Sequence, residues 1–356
     1  MGFLRFIFGR LFLAVVTLTI ITAILYAIMM LQTPEERAYM FIPKGANLRL
    51  TEQQLHNYLQ LIIEKNGLDQ PYPVQYFRWV NQLLHGDWGY SMALSSDVLD
   101  FVSARAPVTI ELTLYTILLM IPAGLVSGAI AGWKRNRAFD YIFRSAAFIG
   151  ASFPSFILAL VFIAIFYVGL YWFAPERLGI QANAIVNSPQ FKHFTGLVTI
   201  DGLLNGRIDV VVDAFQHLVM PVLTLNLIHW ATLGRVVRAV MIDESQKEYI
   251  VTAKSKGLSG GQILWRHPFP NILSPALASV ALSAASLVGG VFVVEKIYNF
   301  HGVSEVVYSG LLVQQDTVTA LGYAIYNVIM VLVVMLVLDV LRGIVDPRAR
   351  ADWAAQ

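Results

Sequence analysis

Isolated polar side chains in a strongly apolar chain are the first candidates for chemistry. Glu111, His217, His229 and Asp339 each stand within or beside a long apolar run. The two histidines are about 18 Å apart along a helix, so they cannot share a metal ion. The sequence contains no cysteine and no GxxxxGK[ST] or HExxH pattern. We therefore predict packed histidines, two acids near membrane interfaces where water reaches them, and no catalytic residue, bound metal or cofactor.

The charged side chains concentrate in one stretch, residues 235–266. It holds six basic and three acidic residues between two apolar runs that hold none. Because one charge at a bilayer centre costs about 2.5 to 3.5 kcal/mol, this stretch lies in water. Its centre predicts a short helix from Lys247 to Lys256, which Gly257 ends in a left-handed conformation. Tyr249, Ala253 and Leu258 are expected to face a partner, since the small Ala253 lets the helix enter a groove.

Composition places these residues in a membrane protein. Of the 356 residues, 57% are apolar and 13% are charged, against about 25% charged in a soluble domain. The net charge of +2 is too small to favour nucleic acid as a partner. Six runs are long enough to cross about 30 Å of hydrocarbon, the first as a retained signal anchor. They are Leu11 to Leu31, Leu112 to Trp133, Ser145 to Phe173, Ala214 to Gly234, Pro270 to Val294 and Thr317 to Leu338.

The short basic loops predict the orientation. With six spans, Arg5 and Arg10, the Lys134 loop, the 235–266 stretch and the basic C-terminal residues all fall on one side. The positive-inside rule places that side, and both termini, in the cytoplasm. The other side receives residues 32–105, 174–213 and 295–316.

Residues 32–105 are predicted to fold outside the membrane. Thr51 and Gln54 fit a capping box, and apolar residues then recur at helical spacing until Asn66-Gly67. Pro73 is expected to begin a second helix, which ends at a turn over residues 86–89.

Small residues and prolines mark the predicted spans. Gly124, Gly128 and Gly132 lie four apart, as on a face that another helix approaches closely. Ser283, Ser286, Gly289 and Gly290 suggest a similar face in the fifth span. Prolines 122, 154, 221 and 275 indicate either local kinks in a tightly packed bundle or bent helices that line a pathway.

Residues 248–258, EYIVTAKSKGL, are followed by Ile263, Arg266-His267, Asn271-Ile272 and Pro275. This segment is similar to the EAA loop of the ABC importer permeases, and with three further stretches it resembles their dipeptide/oligopeptide branch. Residues 68–71, Gln75-Tyr76, Trp79 and residues 86–91 look like the family's outer N-terminal segment. Residues 294–302 resemble its outer segment before the last helix, and Asp346-Pro347-Arg348 its cytoplasmic end. The four run in the family's order over nearly the whole chain.

The resemblance implies an all-α membrane protein with six transmembrane helices and the type I ABC importer permease fold, in a prokaryotic cell membrane. It implies residues 1–31 as the first helix, 32–105 as the extracytoplasmic segment, 106–346 as a five-helix core with a cytoplasmic coupling loop at 235–268, and 347–356 as a cytoplasmic tail. The residues expected to couple the chain to an ATPase are Glu248, Tyr249, Thr252, Ala253, Lys254, Ser255, Lys256, Gly257 and Leu258.

The same resemblance implies partners. They are a second homologous permease subunit, two ABC ATPase subunits that bind the ATP, an extracytoplasmic substrate-binding protein and the membrane lipids. Closure of the ATPases on ATP would move the coupling helix and expose a central path to each side in turn. Short peptides are the expected cargo, although similar permeases carry nickel chelates, glutathione or sugars.

Two other classes remain as alternatives on residues alone. An ion-coupled secondary transporter would show paired buried carboxylates or inverted repeats, and a membrane-embedded enzyme would need a nucleophile or a metal cluster. Residues 258–262 spell LSGGQ, a signature of ABC ATPases. Since the chain has no phosphate-binding loop and no room for an ATPase domain, we interpret this string as a chance match.

Overall fold

A computed structural model describes residues 2–38, 41, 51–91, 93–313 and 316–345. Its long helices are α1 (Gly2–Met29), α5 (Val98–Trp133), α10 (Ile208–Glu244), α13 (Pro268–Ile297) and α14 (Thr317–Val345). The shorter helices are α2 (Pro34–Ala38), α3 (Glu52–Asn66), α4 (Tyr72–Leu84), α6 (Ala138–Ser152), α7 (Ser155–Phe162), α8 (Ile180–Val186), α9 (Val198–Leu204), α11 (Glu248–Ser255) and α12 (Gly260–Arg266). π-Helical turns cover Ile163–Gly169 and Val306–Val313, and strands β1 (Tyr90–Ser91) and β2 (Ser96–Asp97) pair antiparallel.

The described helices confirm a membrane-spanning, all-α architecture. Five of them are long and apolar enough to cross a bilayer, and a sixth crossing is present if the bent pair α6 and α7 counts as one span. The predicted C-terminal motif and tail, residues 346–356, lie outside the described residues.

The third predicted span is not one continuous helix. Residues 138–152 and 155–169 meet at an angle of 105°. Phe153 is extended, with φ −99° and ψ 132°, as expected for a residue before proline. Pro154 also lacks the N–H that a continuous helix needs, so the chain turns here. Pro122, Pro221 and Pro275, by contrast, lie inside helices that continue through them.

The chain divides into two compact units. One comprises residues 1–11, 107–301 and 331–356, and the other comprises residues 12–106 and 302–330. In the first unit, apolar side chains of α5, α10 and α13 form the main core, with fully buried residues such as Leu112, Met220, Leu233 and Leu287.

The predicted glycine face of α5 packs directly on α10. A methyl group on Gly128 would lie 2.5 Å from the Gly234 carbonyl oxygen, and one on Gly132 would lie 2.7 Å from the Arg238 carbonyl oxygen. The corresponding face of α13 is different, because no atom lies within 4 Å of a methyl group built on Gly289 or Gly290. The prediction of a close helix contact is therefore confirmed for α5, while these two glycines of α13 are exposed in this chain.

The second unit contains the helices predicted within residues 32–105. Thr51 and Gln54 form the expected capping box at the start of α3, and Gly67 ends it with φ 59°. Helix α4 packs on α1, where Tyr72 donates a 2.5 Å hydrogen bond to the Ala23 carbonyl and the Thr22 and Tyr76 hydroxyls lie 3.0 Å apart. These contacts confirm two folded helices after α1. Their extracytoplasmic location remains a prediction.

Candidate functional site

A buried carboxylate fixes helix α11 to the rest of the first unit. Glu244, the last residue of α10, is 8% exposed. It accepts hydrogen bonds from the Lys247 ammonium, the Tyr249 hydroxyl at 2.5 Å and the Asn271 amide at 3.3 Å. Burial, and next the hydrogen bond to Glu244, raise the pKa of Tyr249 to about 12, so its hydroxyl remains a donor. One carboxylate thus joins the end of α10, the start of α11 and the first turn of α13.

The inner face of α11 packs within the chain. Ile250 and Ala253, three residues apart, are 1% and 3% exposed and contact the buried Ile263 of α12. Tyr249 and Leu258 are half-buried at the edge of the same cluster. The prediction that Ala253 faces a partner is therefore wrong, as is the prediction of one outward face formed by Tyr249, Ala253 and Leu258. Helical periodicity puts Ala253 on the side of Ile250, and that side is covered by α12.

The outer face of α11 consists of Glu248, Val251, Thr252 and Ser255, all exposed and spaced i, i+3, i+4 and i+7. The Thr252 and Ser255 hydroxyls donate back to carbonyl groups of the helix itself, at 3.2 and 3.1 Å. Val251, which is 62% exposed, is then the apolar centre of the face.

The C-terminal end of α11 follows the prediction. Gly257 has φ 76°, and its N–H donates to the Lys254 carbonyl at 2.9 Å. Lys254 lies in the last turn and Lys256 at the C-cap, both exposed, where positive charge complements the helix dipole. A methyl group on Gly257 would meet no atom within 4 Å, so its left-handed backbone is the reason for glycine here.

The LSGGQ string has a local structural role. Ser259 and Gln262 form a reciprocal capping box, in which the Ser259 hydroxyl accepts from the Gln262 N–H and the Gln262 side chain accepts from the Ser259 N–H. Since Ser-x-x-Gln is a common way to begin a helix, the start of α12 accounts for the serine and the glutamine of this string.

Glu111 is placed differently from the prediction. Its side chain does not reach water but is 2% exposed, and accepts from the Thr199 N–H at 2.8 Å, the Thr199 hydroxyl at 2.7 Å and Arg177 at 2.8 Å. Asp201 is also buried and accepts from the N–H groups of Thr195 and Gly196. These carboxylates hold residues 174–213 in a defined fold against α5.

Two of the other isolated polar residues, His217 and Asp339, have local partners. His217 Nδ1 lies 2.8 Å from the Asp213 carbonyl oxygen and 3.4 Å from its carboxylate, which agrees with a packing role. Asp339 pairs with Arg10 at 3.3 Å and is partly exposed, as predicted. No cluster of histidine, aspartate and glutamate suited to a metal ion occurs among the described residues.

Comparison with known families assigns the chain. Residues 120–351 match the model of the binding-protein-dependent transport system inner membrane component, and residues 3–113 match the N-terminal model of such membrane components. The chain belongs to this permease family. It is a subunit of an ABC importer and a multi-pass inner-membrane protein, and the ion-coupled alternative is not supported.

Three relatives illustrate the range of the family. The probable D,D-dipeptide transport system permease DdpB of Escherichia coli is 33% identical, over 81% of this chain and 83% of its own length. The dipeptide transport system permease DppB of Alkalihalophilus pseudofirmus is 29% identical over 85% and 88%. The di/tripeptide transport system permease DppB of Pseudomonas aeruginosa is 28% identical over 98% of this permease and 99% of the relative.

Two residues of this site, Glu244 and Asn271, were not predicted from the sequence. Glu244 lies in the charged stretch, residues 235–266, and Asn271 lies in the motif that follows it. Their contacts with each other and with Tyr249 join α10, α11 and α13. The distance in sequence between Asn271 and Tyr249, 22 residues, hides this contact. Glu244 lies only five residues before Tyr249, but a glutamate and a tyrosine at this spacing only weakly indicate a hydrogen bond between them.

Proposed function

We propose that this permease moves short peptides into the cell and that the outer face of α11 receives the motion of an ATPase subunit. The observation that carries the proposal is the contrast between the two faces of α11. Ile250 and Ala253 fix one face to the chain, whereas Val251 projects from the other. A helix held in this way transmits a push on Val251 to α10 and α13 through Glu244 and Asn271.

The proposed assembly contains a second permease subunit, two ATPase subunits on the side of α11 and a substrate-binding protein on the opposite side. Both termini are assigned to the cytoplasm, in agreement with the basic loops. ATP is bound by the ATPase subunits. Differential affinity of ATP for their closed state would supply the energy that drives the two-state motion of the permease.

The names of the relatives support a short peptide as cargo, since they describe dipeptide, D,D-dipeptide and di/tripeptide systems. The direct test is ATP-driven uptake of labelled dipeptides and tripeptides by vesicles that contain the full complex and its binding protein. Uptake of another solute class, with none of either peptide, would contradict the proposed cargo.

The coupling face is tested by Val251→Asp. A charge at the centre of a packed interface is expected to weaken ATPase association by about tenfold or more. Val74→Asp is the matched control, because Val74 is also exposed, at 47%, but lies on α4. Normal ATPase association and peptide uptake in Val251→Asp would refute the coupling role of this face.

A second test changes the end of the same helix. Gly257→Leu forces a left-handed backbone on a branched residue, at a cost of about 1 to 2 kcal/mol. It should therefore displace Leu258 and reduce uptake more than ATPase association. Full uptake at normal ATPase binding would exclude a role of the α11 end in coupling.

A further inference from the structure

Three arginines and a phenylalanine surround a cavity between α6 and α10. The cavity has a volume of about 330 Å³ and is lined by Arg144 and Phe148 of α6 and by Arg235 and Arg238 of α10. Arg144 and Phe148 are four residues apart, and Arg235 and Arg238 three apart, so each pair projects from one face of its helix. Two helix faces thus bring three guanidinium groups to one opening.

The charges of this cavity are only partly balanced. Asp140, fully buried, accepts from Arg238 at 2.5 and 2.9 Å and from the Asn136 N–H at 2.9 Å. That bidentate pair fixes the Arg238 side chain. Among the residues that the structure describes, neither Arg144 nor Arg235 forms an ion pair with a carboxylate. Three cationic groups therefore meet one carboxylate, which leaves the cavity positive.

Aromatic side chains beside the cavity indicate its position relative to the membrane. Tyr141, Arg144 and Phe148 share one face of α6, and the Arg144 guanidinium lies 4.8 Å from the centre of the Tyr141 ring. Tyr141 and Phe148 are 52% and 71% exposed. An arginine between two exposed aromatic rings suits the boundary between hydrocarbon and water, where aromatic residues are enriched.

The length of α10 places Arg235 near such a boundary. The helix contains 37 residues, or about 55 Å at 1.5 Å per residue, and therefore exceeds a hydrocarbon core of about 30 Å. The segment before Arg235 carries no charged residue from Ala214 to Gly234. Arg235 is thus the first charged residue after the apolar part of α10. It lies in the C-terminal part of this helix, which leads to α11.

We propose that this cavity binds the phosphate group of an anionic phospholipid, with an acyl chain along Phe148. Guanidinium groups bind phosphate oxygens through paired hydrogen bonds. Arg238 is held in place by Asp140. Arg144 and Arg235, which form no ion pair with a carboxylate of the described part of the chain, supply the remaining positive charge. A basic pocket between membrane helices is the type of site that lipid headgroups occupy. Lipid bound there would join α6 to α10.

The test is native mass spectrometry of the full chain, delipidated in detergent and titrated with dioleoyl phosphatidylglycerol. The double variant Arg144→Gln/Arg235→Gln is expected to bind this lipid about 30-fold more weakly, from two lost charges near the membrane surface. Arg238 and Asp140 stay unchanged, so the packing of α6 on α10 is retained. Arg144→Lys/Arg235→Lys keeps the charge but loses the paired geometry, and its affinity should fall in between.

The matched control is Lys134→Gln/Arg135→Gln, which removes two charges from the adjacent loop but none from the cavity. Its affinity should fall by less than about threefold, because exposed charges are screened. Equal losses in the two glutamine doubles would overturn the proposal in favour of diffuse attraction. Equal binding of zwitterionic phosphatidylethanolamine would also overturn it. Displacement of the lipid by inorganic phosphate at matched ionic strength would overturn the lipid assignment and identify a site for free phosphate.

Discussion

The contact between α5 and α10 allows a prediction with a built-in control. In Gly128→Ala, the new methyl group would lie 2.5 Å from the carbonyl oxygen of Gly234 and 2.9 Å from Cβ of Val237. Ordinary contact begins at 3.4 Å, so α5 and α10 must separate by about 0.9 Å at this point, the difference between 3.4 and 2.5 Å. A backbone oxygen cannot rotate away as a flexible side chain would. The strain therefore falls on the helix pair itself.

Two opposing contributions set the change in the free energy of unfolding that Gly128→Ala causes. Overpacking costs about 1 to 3 kcal/mol, and contact with backbone places Gly128→Ala near the upper value. Alanine returns up to about 1 kcal/mol of helix propensity, which leaves a loss of about 2 kcal/mol. Gly290→Ala has the same propensity gain but no neighbour within 4 Å, so it should be neutral or stabilising by up to about 1 kcal/mol. The two alanine variants should differ by about 3 kcal/mol, or roughly 6 °C in melting temperature.

Tryptophan fluorescence during thermal unfolding in detergent measures this difference, because the chain has seven tryptophans. Trp133 and Trp230 lie on α5 and α10 themselves. The expected order of melting temperatures is Gly128→Ala, then wild type, then Gly290→Ala. If Gly128→Ala melts at or above wild type, the close α5–α10 contact does not exist. If both variants shift equally downward, glycine flexibility rather than space decides the effect.

The remaining predictions concern buried polar groups and the inner face of α11. Glu111→Gln should destabilise by about 3 kcal/mol by leaving the Arg177 charge without its carboxylate, and limited proteolysis should then cut residues 174–213 faster than in wild type. Tyr249→Phe should lose about 1 kcal/mol. Because the pKa of Tyr249 is raised from 10.0 to about 12, the wild-type advantage should be complete below pH 10 and disappear as the pH rises towards 12, as thermal unfolding of both proteins would show. Ala253→Leu overfills the contact with Ile263, at about 1 to 3 kcal/mol, and should reduce uptake although no outward residue changes.

Features set by neighbouring residues could be predicted from the sequence. The Thr51–Gln54 capping box, the end of α3 at Asn66-Gly67 and the left-handed Gly257 each depend on a few adjacent residues, and each occurs as expected. The glycine face of α5 was visible because a four-residue spacing needs no knowledge of the partner helix. Which helix packs there, α10, was beyond the sequence, since any other span has a similar apolar surface.

The angle at Pro154 and the orientation of α11 depend on distant residues. Proline in a membrane helix permits a kink or a break, and Pro122 lies in a continuous helix while Pro154 marks a 105° turn. The apolar residues of α11 likewise fit burial within the chain or against a partner. Ile263, ten residues beyond Ala253, decides between these outcomes because α12 covers that face. Local periodicity defines a face but not its occupant.

Glu111 shows how far a lone charge in an apolar run can be interpreted. The prediction assumed that water would solvate it, yet a carboxylate buried without water requires a cation and hydrogen-bond donors. Its partners Arg177 and Thr199 lie 66 and 88 residues away. Residues 174–213 also contain Lys192 and Arg207 as candidate cations, and Arg207 instead pairs with Asp209. Nothing in the sequence singles out Arg177 among the 25 lysines and arginines of the chain. The fold of that segment selects Arg177, because the Glu111 carboxylate also accepts the N–H of Thr199 in the first turn of α9.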